Sequence, residues 1–243
     1  VVLPLEHAEH RVVAALQFVP AVLPLAPAPP PRRAVVTAQP PQPPSLPAVA
    51  VDPRDGKVSV VADGFKVPAA ANFDSKGNLW VIDTADGSLY RVDVKRHTKT
   101  RVATLEPSLD NLAVDSQDNI FVTNMADNSV TRVDAINGNM SLVIKGKIAS
   151  AADLAIAHDG DTKLHLADVF TYRQIDTKND AVTTKLRMFG DILAYPAGIG
   201  IGPKHVVLTS TTSGDVQVLD RATGATVAML TAFKAPVDAV ETA

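Results

Sequence analysis

The sequence predicts an all-β chain built from tandem four-stranded units, and three observations carry that prediction. A hydrophobic-Asp marker recurs at near-equal spacing. Short apolar runs alternate with turn residues, four to a unit. Helical i, i+3, i+4 spacing is absent over any useful length. The marker reads LYRVD at Asp93, VTRVD at Asp134, YRQID at Asp176 and VQVLD at Asp220, with PAVAVD at Asp52 ahead of them. The spacings are 41, 41, 42 and 44 residues. A period in this range means an array of one supersecondary unit.

In chain order, a Pro-rich N-terminal segment comes first, over residues 1–47. It holds 12 of the 18 prolines, and the first of the 13 glycines is Gly56. Pro40 to Pro47 reads as an extended, polyproline-like linker. Upstream, Val12 to Ala28 is apolar but interrupted by Pro20, Pro24 and Pro27. A spanning helix needs about 20 uninterrupted apolar residues, so no membrane span is expected. Two readings of this segment stand side by side. Arg11, Val12 to Leu25 and Ala26-Pro27-Ala28 fit the basic, apolar and cleavage regions of an export signal. Equally, the stretch fits a disordered extension, against a signal standing Glu6 and Glu9. The chain is periplasmic or secreted on the first reading and cytoplasmic on the second.

The units occupy residues 48–243. In the second they are NLAVD, NIFVTN, SVTRVD and MSLVIK, separated by Gln117-Asp118, Asp127-Asn128 and Asn137-Gly138. Such runs, bounded by turn dipeptides, are short antiparallel strands. The second run of each unit (NLWVID, NIFVTN, KLHLAD, HVVLTS) is apolar at nearly every position. A sheet with one wet face would alternate, so these sheets are expected to bury both faces against their neighbours. Four strands per repeat of this length, packed on both sides, is a β-propeller blade. Complete blades are expected over 69–106, 110–147, 152–189 and 197–234. Residues 48–62 match only the outer two strands of a blade and 236–243 only the innermost. They predict a partial composite blade lacking its second strand. Trp80 and Phe121 share one column of the repeat, and His165 falls in it, reading as a packed histidine in an aromatic slot.

The units PAAANFDSKGNLWVIDTADGSLYRVD and LDNLAVDSQDNIFVTNMADNSVTRVD resemble NHL-type repeats. They are also similar to the gluconolactonase/regucalcin-like superfamily of six-bladed propellers, of which this chain looks like a shortened form. The resemblance implies one divalent cation at the central mouth, calcium or similar, held by a Glu and by Asn or Asp at the starts of innermost strands. Ala69 stands where that glutamate would be, and Ala152 and Ala197 occupy two further ligand columns. Asp110, Asn111, Asp153 and Asp238 remain as the metal-ligand set. A second ring closes the second strands, at Asp83, Asn124, Asp168 and Ser210. Asp83, Asn124 and Asp168 are candidate ligand-binding residues at the rim, where propeller loops converge. The competing reading is that they cap their own turns.

Composition narrows the chemistry. With no cysteine, disulfides, thiolate nucleophiles and Cys-ligated zinc are excluded. A net charge of -3 gives no basic footprint for nucleic acid. No G-x-S-x-G, H-E-x-x-H, P-loop or EF-hand pattern appears. Three functions follow as expectations. The first is a binding protein taking a small molecule, peptide or glycan at the central rim. The second is a metal-dependent hydrolase of lactones or related esters. The third is a piece of a longer gene, motivated by the Val start, the missing strand and the end at Ala243. A streptogramin-inactivating lyase resembles the chain in repeat architecture alone.

Overall fold

A computed structural model describes residues 13–15, 45–52, 55–146, 148, 153–155, 162–168, 171–187, 196–236, 238–239 and 241. Four antiparallel sheets of four strands each follow one another, every sheet a simple meander. Blade 1 contains β4 (Pro68–Phe73), β5 (Leu79–Asp83), β6 (Ser88–Asp93) and β7 (Thr98–Thr104). Blade 2 contains β8 (Leu109–Val114), β9 (Ile120–Asn124), β10 (Ser129–Val133) and β11 (Met140–Lys145). Blade 3 contains β12 (Leu154–Ala155), β13 (Lys163–Asp168), β14 (Thr171–Asp176) and β15 (Ala181–Arg187). Blade 4 contains β16 (Gly198–Ile201), β17 (His205–Ser210), β18 (Asp215–Asp220) and β19 (Thr226–Leu230). The first strands touch in succession, β4 to β8 to β12 to β16. They are the innermost strands of a β-propeller.

The repeating marker has a local cause. Each Asp ending a third strand closes the following turn with its own carboxylate. Asp93 Oδ1 accepts from the Lys95 and Arg96 N–H groups at 3.0 Å each. Asp134 does the same for Ile136 and Asn137, at 2.8 and 3.0 Å. Asp176 accepts from Lys178 N at 3.0 Å and Asp220 from Thr223 N at 2.7 Å. Such local bonds favour turn over strand continuation. All four carboxyls lie below their usual range, Asp93 first through the Arg96 guanidinium, Asp134 through the Asn137 N–H, Asp176 through the Lys163 ammonium and Asp220 through the Thr223 hydroxyl, with the backbone N–H bonds adding to each. At the tighter turn between the second and third strands of blade 1, glycine is obligatory. Gly87 has φ +71°, and a Cβ there would lie 2.0 Å from the Leu105 carbonyl oxygen.

Among the described residues the hydrophobic core falls into four clusters, one at each junction between consecutive sheets. Neighbouring residues of one second strand enter different clusters. Leu79 and Val81 of β5 pack toward the preceding sheet, whereas Trp80 and Ile82 pack toward blade 2. Ile120 and Val122 of β9 face blade 1, and Phe121 faces blade 3. Every residue of β5 and β9 is buried. This period-2 division between two dry interfaces explains why these strands are apolar throughout.

The first sheet differs from the expectation. Leu46–Val51 (β2) and Val58–Phe65 (β3) form the outer pair, and beside β2 lies a third strand, Val13–Ala15 (β1), with Val13 opposite Val51. The place of the missing second strand is thus taken by residues from the apolar N-terminal stretch. The physical reason is that an unpaired β2 edge leaves a row of N–H and C=O groups for any β-prone segment to satisfy. Of 236–243, the structure describes Pro236, Asp238, Ala239 and Glu241, none of them in a strand. Among the described residues no helix is long and apolar enough to cross a membrane.

Candidate functional site

The starts of the innermost strands and the turns after the second strands share one side of the propeller. Asp83, Asn124 and Asp168 lie beneath that rim, each with under 5% of its surface exposed. Asp83 accepts from the Lys66 and Val67 N–H groups at 2.6 and 3.0 Å, and from Ala85 N at 3.2 Å. It latches the chain entering its blade to the turn leaving β5. Asn124 does the same in blade 2. Its amide donates to the Glu106 and Pro107 carbonyls, both at 3.0 Å, and its oxygen accepts from Ala126 N at 2.8 Å. Asp168 accepts from Thr171 Oγ1 at 3.2 Å and pairs with the Arg173 guanidinium. The ring foreseen at the rim is therefore turned inward onto backbone and neighbouring side chains.

Of the four metal-ligand candidates, Asn111 and Asp153 are brought together, but by bonding to each other and to backbone. Asn111 donates its amide to Asp153 Oδ1, while its own oxygen accepts from Leu112 N at 2.6 Å. Asp153 Oδ2 accepts from Ile199 N at 2.7 Å, and its carbonyl from Ala167 N at 2.9 Å. Asp153 is buried and stitches together the inner strands of blades 2, 3 and 4. Asp238 is exposed and accepts from the next residue, Ala239 N, at 2.7 Å. Ala152 and Val237, in the same columns, lie outside the described residues. Among the described residues no three His, Asp or Glu side chains gather in metal-binding geometry.

Asp110 is the exception. It is half-buried at the start of β8. Loss of solvent alone acts on it, and its carboxyl is raised above the usual carboxylate range. No donor or cation among the described residues offsets that cost. The adjoining crossover carries a backbone feature that sequence reading missed. Ser108 adopts φ 81°, a left-handed conformation that side chains resist. It is held there because its N–H donates to Thr84 O at 3.0 Å and its carbonyl accepts from Met125 N at 3.1 Å. Ser108 thereby ties the rim turns of blades 1 and 2 together beside Asp110. No local signal marks a serine for that role, since both partners lie in other turns.

The family model described as SMP-30/Gluconolactonase/LRE-like region matches residues 37–169, more than half of the chain. No curated protein matches by sequence. A chain of a nidogen/laminin complex is similar at TM-score 0.66 and 10% identity, with 76% of this chain and 72% of that one covered. Virginiamycin B lyase from Staphylococcus aureus gives TM-score 0.60 and 12% identity over 76% of this chain and 63% of the lyase. A streptogramin B lyase gives 0.63 and 11% over 80% and 65%. The chain thus spans less than two thirds of either lyase's length, and at these identities the likeness is one of fold alone.

Proposed function

The chain belongs to the SMP-30/gluconolactonase/LRE-like family, and from that premise we propose that it is a propeller binding protein taking its ligand at the central mouth. The observation that supports this is Asp110. A half-buried carboxylate with no partner among the described residues costs stability, and it stands at the start of an innermost strand, beside the mouth. A ligand offering a cation, an amine or hydroxyl groups would supply the missing donors, so a small molecule, peptide or glycan fits the reading. The nidogen/laminin neighbour, seen in a complex, is a precedent for the architecture presenting itself to a partner. The test is hydrogen exchange with and without candidate ligands. Protection confined to 108–111 and the turns at 84–87 and 125–128 is expected. Protection elsewhere, or an unchanged response in Asp110→Asn, overturns it.

The second reading is a metal-dependent hydrolase of lactones or related esters, and family membership favours it. As they stand, the candidate donors do not fit a cation. Asp153 has both oxygens in inter-blade hydrogen bonds, Asn111 is committed to Asp153 and Leu112, and no three His, Asp or Glu side chains gather in metal-binding geometry among the described residues. A lactone hydrolysis rate well above buffer that depends on added calcium, and is lost in Asp110→Asn, would replace the first reading with this one.

A further inference from the structure

One column of the repeat changes character between blades. Trp80 occupies it in blade 1, fully buried toward blade 2, its Nε1 donating to Asp74 Oδ2 at 3.0 Å. Phe121 occupies it in blade 2, fully buried toward blade 3. In blade 3 the same position is His165, smaller and polar. Next to it, a cleft of about 650 Å³ opens between blades 3 and 4, a volume typical of small-molecule sites. It lies at the starts of second strands and the turns after third strands. That is the side of the propeller opposite the central mouth.

The cleft has a polar floor and a cationic entrance. His165 Nδ1 lies 2.7 Å from the Tyr172 hydroxyl, which also accepts from Gln174 Nε2 at 3.1 Å. The His165 and Tyr172 rings stack, with centroids 5.9 Å apart. His165 and Tyr172 are 1% and 2% exposed, so this pair is built into the core, with the half-buried Gln174 beside it. The charged side chains lining the cleft are Lys163, Lys185, Lys204 and Arg221 against one carboxylate, Asp220. Lys163 is offset by Asp176, and Asp220 is already bound to its own turn through Thr223. Lys185 of blade 3 and Lys204 of blade 4 are exposed, and both line the cleft. The turn bearing Lys204 is itself held, because Glu241 accepts from the Lys204 and His205 N–H groups at 3.0 and 2.9 Å.

We propose that this inter-blade cleft is a second binding site, for a small multiply charged organic anion. The anionic group sits between Lys185 and Lys204, and the polar body of the ligand reaches His165, Tyr172 and Gln174. A charge-assisted contact from each blade favours a dianion over a neutral ligand. The imidazole, phenol and amide on the floor select a body bearing hydroxyl or carboxyl groups over an apolar one. Phosphate esters and polycarboxylates share this chemistry.

Isothermal titration of the full chain at low ionic strength tests the proposal, using inorganic phosphate, glucose 6-phosphate and citrate against sodium chloride of matched ionic strength. Saturable binding of glucose 6-phosphate or citrate is expected. The double variant K185A/K204A should weaken it about tenfold or more, and His165→Phe, which refills the slot, should abolish it. The remote double variant K57A/K95A removes the same charge and should leave binding intact. Tighter glucose 6-phosphate assigns a phosphate ester, and tighter citrate a polycarboxylate. Heats no different from chloride, or K185A/K204A binding as well as K57A/K95A, overturn the site. Should His165→Phe fail to fold, the exposed lysine pair still decides the question.

Discussion

The junction between blades 1 and 2 and the junction between blades 3 and 4 are built from the same repeat, yet only one is dry. At the first, Trp80 fills the slot, anchored to Asp74 and packed on Leu112 and Val114. At the second, Ala167 and Tyr172 meet Ile199, Val206, Leu208 and Leu219, and His165 stands where the indole would be. The apolar contacts hold both pairs of blades together. The two junctions differ in that column, and the open cleft borders the one that carries histidine. A propeller therefore tolerates specialisation at one junction, because each blade is stabilised separately against each neighbour.

The harshest way to break the comparison is to empty the sealed slot. Trp80→Ala should lower unfolding free energy by about 3–5 kcal/mol, measured by urea titration. The same truncation at His165 should cost clearly less, since that slot already adjoins open space. A comparable loss at both positions would remove the distinction between the junctions. Next comes the latch shared by blades 1 and 2. Asp83→Ala deprives the Lys66 and Val67 N–H groups of their acceptor and should cost about 1–3 kcal/mol. Asp83→Asn should recover part of it, because one oxygen remains to accept.

A change of opposite sign is expected at the mouth. The Asp110 carboxyl is raised by burial, so ionisation penalises the folded state more than the unfolded one. Stability is fully retained below the unfolded value of about 3.9 and declines as pH rises through the folded value. Asp110→Asn should thus raise the thermal midpoint at neutral pH and make no difference near pH 3. A variant less stable than the wild type at pH 7 would mean that Asp110 is paired. The smallest effect is the sharpening experiment. His165→Phe gives the open junction the residue type of its neighbour. It should leave stability within about 1.5 kcal/mol of the starting value, because added apolar contact offsets the lost bond to Tyr172.

Much of the architecture is legible in the sequence. The strands are short β-branched runs between turn residues, and the Asp markers are local, each bonding a backbone N–H two or three positions ahead. Both kinds of signal are written in adjacent residues. The inward turn of Asp83 and Asn124 was not legible, because their partners lie 16 to 18 residues upstream in the crossover. Nor were the register shifts between third and fourth strands, at Leu89/Tyr90, Val130/Thr131 and Tyr172/Arg173. A bulge depends on two strands fitting together, and no single run announces it. The pairing of Val13 with Val51 spans a Pro-rich stretch, so nothing local connects them.

Periodicity, turn chemistry and the two-sided apolar strands determined the blades and their order, since each of these is decided by neighbours in the chain. The histidine in the aromatic column was visible in the same way. Whether that histidine is sealed in or borders a cleft depends on how closely the next blade approaches and which cations its turn brings. Whether Asp110 and Asp153 share a ligand or part company depends on which strand offers each a free N–H. Those outcomes belong to the tertiary structure, because burial and electrostatic pairing are set by distances between residues that are about a repeat apart in sequence and adjacent only once the sheets have packed.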